Sequence, residues 1–158
     1  MNMKVPFAFP ECGQEEIDEV IQVIQSGWLT TASRCLRFEK EFAAFIGAKH
    51  ALAVNSATAA LHLGLEALGI REGDQVLVPT LTFTATAEVV RYLGAEPLWV
   101  DCDQETFCIP CAQVEQTIER SQIPVKAIMP VHFGGHPCDM DNIINGARED
   151  DLYFELAS

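Results

Sequence analysis

From residue 51 onward, short apolar runs alternate with stretches of helical period. Residues 51–54 (Ala-Leu-Ala-Val) are an apolar run of strand length and predict a buried strand. Residues 57–68 carry Leu61, Leu65 and Leu68 at i, i+4 and i+7, which predicts a helix stopped by Gly69. Residues 75–78 read as the next strand, broken by Pro79. A helix is predicted over 84–93, burying Ala85, Val89, Tyr92 and Leu93 and ending at Gly94. Residues 97–100 read as a third strand, and 111–120 as a helix with Val114 and Ile118 on one face. A fourth strand over 125–129 is stopped by Pro130. Asp139 then caps a helix with Met140, Ile143, Ile144 and Ala147 on one stripe, and residues 152–154 begin a fifth apolar run.

Strands separated by helices in this order predict a largely parallel sheet with helices on both faces, the α/β class. The first fifty residues differ. Ile17, Val20, Ile21 and Ile24 mark one amphipathic helix, and Phe38, Phe42, Phe45 and Ile46 mark a second. A polar loop containing Trp28 joins them, running from Ser26 to Ser33. There is no internal repeat or linker, so residues 1–50 are expected to form a helical lead-in to the same domain as residues 51–158.

Composition narrows the function classes. The chain is 49% hydrophobic and 21% charged, which excludes intrinsic disorder. Its formal net charge of −13 argues against nucleic acid as the main partner and against anionic membrane surfaces. Residues 1–10 lack the apolar run of a targeting signal, and no stretch has the length of a membrane span. A soluble, cytoplasmic protein is expected, with its six cysteines as free thiols.

In a parallel sheet, ligands collect outside the carboxyl ends of the strands. Three such ends carry suggestive residues. At Asn55-Ser56-Ala57-Thr58-Ala59-Ala60 a strand turns into a helix, whose free N–H groups and dipole suit an anion. Ser56 also reads simply as an N-cap. At residues 80–86, four threonines surround Phe83, either to face a flat ring or as a polar loop with a core aromatic. At residues 129–136, His132 and His136 sit in a glycine-rich loop without a third metal ligand of obvious spacing, so no metal is expected. Cys108 and Cys111 form a CxxC at a helix start, where the dipole would lower a thiol pKa. Without a thioredoxin-like context, inert thiols are the expectation.

These segments together resemble the DegT/DnrJ/StrS-type sugar aminotransferases. The resemblance rests on the runs 27–31 (Gly-Trp-Leu-Thr-Thr), 47–63, 79–87, 93–101 and 130–137 (Pro-Val-His-Phe-Gly-Gly-His-Pro), and spans residues 10–154. It implies the large-domain portion of a fold-type I enzyme dependent on pyridoxal phosphate, which moves an amino group, commonly from glutamate, to a keto group on a nucleotide-linked sugar. It further implies that Ser56, Ala57 and Thr58 hold the cofactor phosphate, that Phe83 stacks on the pyridine ring, and that Trp28, Thr30 and Thr31 lie on the substrate side.

Two departures qualify the expectation. Where the family places an aspartate against the pyridine nitrogen, Leu156 follows Glu155. The family's cofactor-bonding lysine falls beyond Ser158, and Lys4, Lys40, Lys49 and Lys126 are not credible substitutes. The expectation is therefore a truncated or divergent relative without its C-terminal substrate domain and without turnover of its own, binding pyridoxal phosphate non-covalently or not at all. It is expected to form a homodimer or other homo-oligomer. The alternative is a non-catalytic ligand-binding or interaction protein that reuses the fold, with thiol chemistry at Cys108 and Cys111 as a third idea.

Overall fold

The computed structural model describes residues 10–149 and 153–154. The chain divides into two compact units, Met1–Ala53 and Val54–Ser158, and each is described by itself.

The first unit contains the two helices that the periodicity predicts, α1 (Gln14–Ser26) and α2 (Ser33–Ile46). Glu16 reaches back to accept the Gly13 N–H at 2.6 Å, closing the first turn of α1. That bond holds its carboxyl below the usual carboxylate range. Glu19 of α1 pairs with Arg34 and Arg37 of α2, and Arg34 Nη2 donates to Gln22 Oε1 at 2.9 Å. The apolar stripes are present but exposed: Ile17, Val20, Ile21 and Ile24 on α1, and Phe38, Phe42, Phe45 and Ile46 on α2. Among the described residues of this unit only Ala43 is buried, because two helices joined by ion pairs have no third layer to close over both stripes.

Residues 51–54 correct an expectation. They form no strand, and Leu52 and Val54 are exposed. An apolar run becomes a strand only when a neighbour accepts its ladder of hydrogen bonds, and this run has none among the described residues.

The second unit is a parallel sheet covered by helices, as the alternation predicts. Its strands are β1 (Gln75–Pro79), β2 (Glu96–Val100), β3 (Val125–Ile128) and β4 (Tyr153–Phe154), in spatial order β2-β1-β3-β4 with all pairs parallel. The connecting helices are α3 (Ala57–Ala67) before β1, then α4 (Ala85–Tyr92), α5 (Cys111–Arg120) and α6 (Met140–Glu149). Alternation along β1 sorts the core. Val76 and Val78 point into a cluster with Leu61 and Leu65 of α3, Val89 and Val90 of α4, and Met129. Leu77 points the other way, to Val114 of α5, Ile143 of α6, Cys108 and Cys138. Proline occupies β2 at Pro97, on an edge among the described strands, where its missing N–H costs no ladder bond.

The strand order explains why helices cover both faces. Going from β1 to β2 moves one way across the sheet, and going from β2 to β3 to β4 moves the other. Right-handed crossovers then put α4 on one face and α5 and α6 on the opposite face. The winding reverses between β1 and β3, so the loops leaving their carboxyl ends diverge and open a crevice.

Two local findings refine the prediction. Lys126 is an extra residue in β3: Gln75 pairs with Val125 while Val76 pairs with Ala127. Strict alternation would bring Lys126 opposite Val76, on an apolar face; the bulge leaves its charge exposed instead. Tyr92, expected to be buried, is 58% exposed. Its hydroxyl donates to Glu88 at 3.3 Å and its ring edge meets His62, while Val90 takes the inward position. The Glu88 carboxylate, with some burial, pushes the Tyr92 phenol above its usual value.

Candidate functional site

The crevice at the reversal is a cavity of about 300 Å³, lined by Ala57, Thr58 and Leu61 of α3, by residues 82–86, and by residues 131–134. The three segments singled out from the sequence thus converge on one place, although the first follows no strand.

The first wall is the start of α3. Ser56 caps it, its Oγ accepting the Ala59 N–H at 3.1 Å, and its carbonyl accepts the Ala60 N–H. Ser56 does not line the cavity, so its part is to set the helix end. The Ala57 and Thr58 N–H groups make no hydrogen bond among the described residues. Two free donors at the positive end of a helix dipole, beside a short Ala side chain and a Thr hydroxyl, are the donor set that an anion requires. Leu61 and the fully buried Leu65 anchor the helix beneath it.

The second wall carries Phe83, 79% exposed, with its ring free to take a flat partner. The Thr86 side chain is buried, and its hydroxyl shares a 2.7 Å hydrogen bond with that of Thr82. That pair is a fixed polar element the sequence reading did not separate from its neighbouring threonines.

The third wall is a tight turn, Phe133–Gly135, with Gly134 at φ 61 and Gly135 at φ 83. A Cβ at either glycine would meet nothing within 4 Å, so the turn needs glycine for its backbone conformation rather than for space. Phe133 packs against Phe107 with ring centroids 5.5 Å apart. His132 lines the cavity and accepts the Cys138 N–H on Nδ1 at 3.1 Å.

The remaining candidates lie elsewhere. Trp28, Thr30 and Thr31 line a hollow of about 710 Å³ within the first unit, with Trp28 Nε1 donating to the Thr31 carbonyl at 3.5 Å. His136 does not join His132; it lines a third hollow with Cys108, Cys111, Asp103 and Asp139. Among the described residues, no three His, Cys, Asp or Glu side chains gather as a metal site. The thiol idea fares poorly. Burial, Glu115 and Asp139 push the Cys111 thiol up, against any lowering by the helix dipole. Burial and the neighbouring Cys108 push Cys138 up to about 11. All the described cysteines are free. No lysine and no carboxylate lines the cavity among the described residues. Lys40 and Lys49 line a hollow of the first unit, whereas Lys4, Glu155 and Leu156 lie outside the described residues.

The parallel sheet and its superposition on solved aminotransferases define the class: an α/β protein with the large-domain architecture of fold-type I aminotransferases. The chain belongs to the DegT/DnrJ/EryC1/StrS aminotransferase family, whose model matches residues 10–155. It is 46% identical over 152 residues to the spore coat polysaccharide biosynthesis protein SpsC of Bacillus subtilis, covering 96% of this chain and 38% of SpsC. The putative sugar aminotransferase Spr1654 of Streptococcus pneumoniae, in its PLP-form, superposes with a TM-score of 0.85 at 34% identity, over 99% of this chain and 39% of its own. DesV of S. venezuelae, solved in complex with a ketimine intermediate, superposes with a TM-score of 0.84 at 35% identity, over 90% of this chain and 38% of its own. The chain thus spans under two-fifths of the length of each of these relatives. Among the described residues, no helix is long and apolar enough to cross a membrane.

Proposed function

We propose that the second unit provides the phosphate- and ring-binding part of a pyridoxal phosphate site, in a protein descended from sugar-nucleotide aminotransferases. The observation that carries this reading is the pair of unpartnered N–H groups at Ala57 and Thr58, opening into a cavity that Phe83 faces. The donor set fits the group. The helix start takes the phosphate on backbone donors, which matters in a chain of net charge −13 without a lining cation among the described residues. Phe83 covers one face of the ring, and the Thr82–Thr86 pair and His132 supply the polar contacts beside it. When bound, pyridoxal phosphate supplies a carbonyl carbon that receives an amino group and a ring that takes up the electron pair left behind.

Among the described residues the cavity lining offers no amine to bond the cofactor, which supports non-covalent binding by this chain. Trp28, Thr30 and Thr31 of the first unit are read as substrate-contacting residues, the substrate being a keto sugar carried on a nucleotide, and the protein works in the cytoplasm. Pyridoxamine phosphate is the suitable probe, because it lacks the aldehyde that labels surface lysines. It should bind the chain saturably, and pyridoxamine without phosphate should bind far more weakly. Equal binding of the two would remove the phosphate cradle from the reading. Borohydride treatment of the chain with pyridoxal phosphate should leave no label on peptides of the cavity wall; a cavity label would overturn the non-covalent assignment.

A second reading is favoured by the exposed stripes of α1 and α2. Apolar faces of this extent belong to an association surface, here between copies of the chain. Sedimentation should show a dimer or larger species, and a concentration-independent monomer would exclude it.

A further inference from the structure

We propose that His132 orients the ligand in this cavity through the proton on its Nε2. The inference rests on the pyridoxal-type reading above and adds a residue and a protonation state to it. A backbone amide only donates, so the 3.1 Å bond from the Cys138 N–H requires a bare Nδ1 on His132. A neutral imidazole then carries its single proton on Nε2. That nitrogen has no partner among the described residues, and the ring lines the cavity.

The backbone that carries the ring is braced as well. Gly135 N–H donates to the His132 carbonyl at 3.0 Å, and the Cys138 thiol donates to the Val131 carbonyl at 3.2 Å. His132 is thereby fixed on both sides of the glycine turn, and its orientation is set before any ligand arrives. In a lining without lysine, arginine or carboxylate among the described residues, one fixed neutral N–H selects an acceptor without adding charge. A phosphorylated hydroxypyridine offers such an acceptor in the hydroxyl oxygen attached to its ring, while its phosphate goes to Ala57 and Thr58.

The competing role is a purely structural one, in which the imidazole only braces the turn. Asparagine separates the two roles: in His132→Asn the amide oxygen can still accept the Cys138 N–H, but no donor reaches as far as Nε2. The experiment uses the full chain labelled with ¹⁵N-histidine and titrated with pyridoxamine phosphate. The expected results are a bare Nδ1, a protonated Nε2 and movement of the Nε2 signal on binding. His132→Asn should bind the probe about tenfold more weakly with its thermal midpoint unchanged, and His132→Gln should recover part of the loss. A proton on Nδ1, an Nε2 signal indifferent to the probe, or an asparagine variant that binds as tightly as the parent would each overturn the proposal. Those outcomes with a binding parent leave the cofactor reading standing. A parent that binds no probe at all removes both.

Discussion

Two helix starts in the second unit look alike on paper and behave differently. Both α3 and α5 begin after a loop and aim a dipole's positive end at a residue capable of chemistry. At α3 a serine supplies the cap, two N–H groups stay free, and the cavity they enter has no lining carboxylate among the described residues. At α5 the N-cap is Pro110 and makes no side-chain cap bond. Cys111 donates to Glu115 at 3.5 Å, and Asp103 and Asp139 line the same hollow. Burial, Glu115 and Asp139 outweigh the dipole there, and the thiol is pushed up rather than down. A dipole worth a fraction of a kcal/mol to about 1 decides nothing by itself. The charges within the next turn and the bond inventory of the first one decide what a helix start can bind.

The contrast can be broken in order of severity. Leu65→Ala, beneath the α3 cradle and fully buried, should cost about 3 kcal/mol of stability in urea titrations and abolish probe binding with it. A loss under about 1 kcal/mol would mean that the helix is not anchored as described. Ala57→Asp gives α3 the carboxylate that α5 already has. Affinity for pyridoxamine phosphate should fall about a hundredfold by calorimetry, with the fold intact by circular dichroism. Undiminished binding would show that the phosphate sits elsewhere. Ser56→Ala removes the cap alone and should lower stability by about 1 kcal/mol, with a smaller effect on the probe.

The mildest change works in the opposite direction, by relieving α5. Burial and Glu115 raise the Cys111 thiol, so the alkylation profile is displaced to higher pH than that of a free thiol. Glu115→Gln removes the negative charge and should move that profile back down, with alkylation at a fixed pH a few-fold faster. A slower or unchanged rate in the variant would contradict the carboxylate's role.

Much of the second unit was legible because two periods coexist in its sequence. The 3.6-residue stripe of Leu61, Leu65 and Leu68 and the four-residue run at 75–78 each had one geometry that buried them, and α3 and β1 follow. The convergence of residues 83 and 132 was legible in outline, since parallel strands deliver their carboxyl ends to one edge, whereas residues 57–58 reach the same cavity without a strand before them. Burial was harder to read. Period gave α1 and α2 their apolar stripes but said nothing of what covers them, and an apolar composition at 51–54 said nothing of a hydrogen-bonding neighbour. Tyr92 failed for a related reason: its hydroxyl found Glu88 at the surface, which hydrophobicity alone does not anticipate. The His132–Cys138 bond joins a side chain to a backbone amide six residues away, a relation that no residue pattern encodes.

The single extra residue at Lys126 works as a phase setter. Upstream of it, Val125 faces α5 and α6; downstream, Ala127 and Met129 face α3 and α4, and the chain then runs on through Val131 to His132. Pairing Lys126 in regular alternation, instead of looping it out, would hand each later side chain to the opposite face. Met129 would then turn toward the thiols, and His132 would turn away from Phe83. The chemistry of the cavity is therefore a matter of parity: an odd residue, spent on keeping one lysine in water, decides which wall the crevice receives.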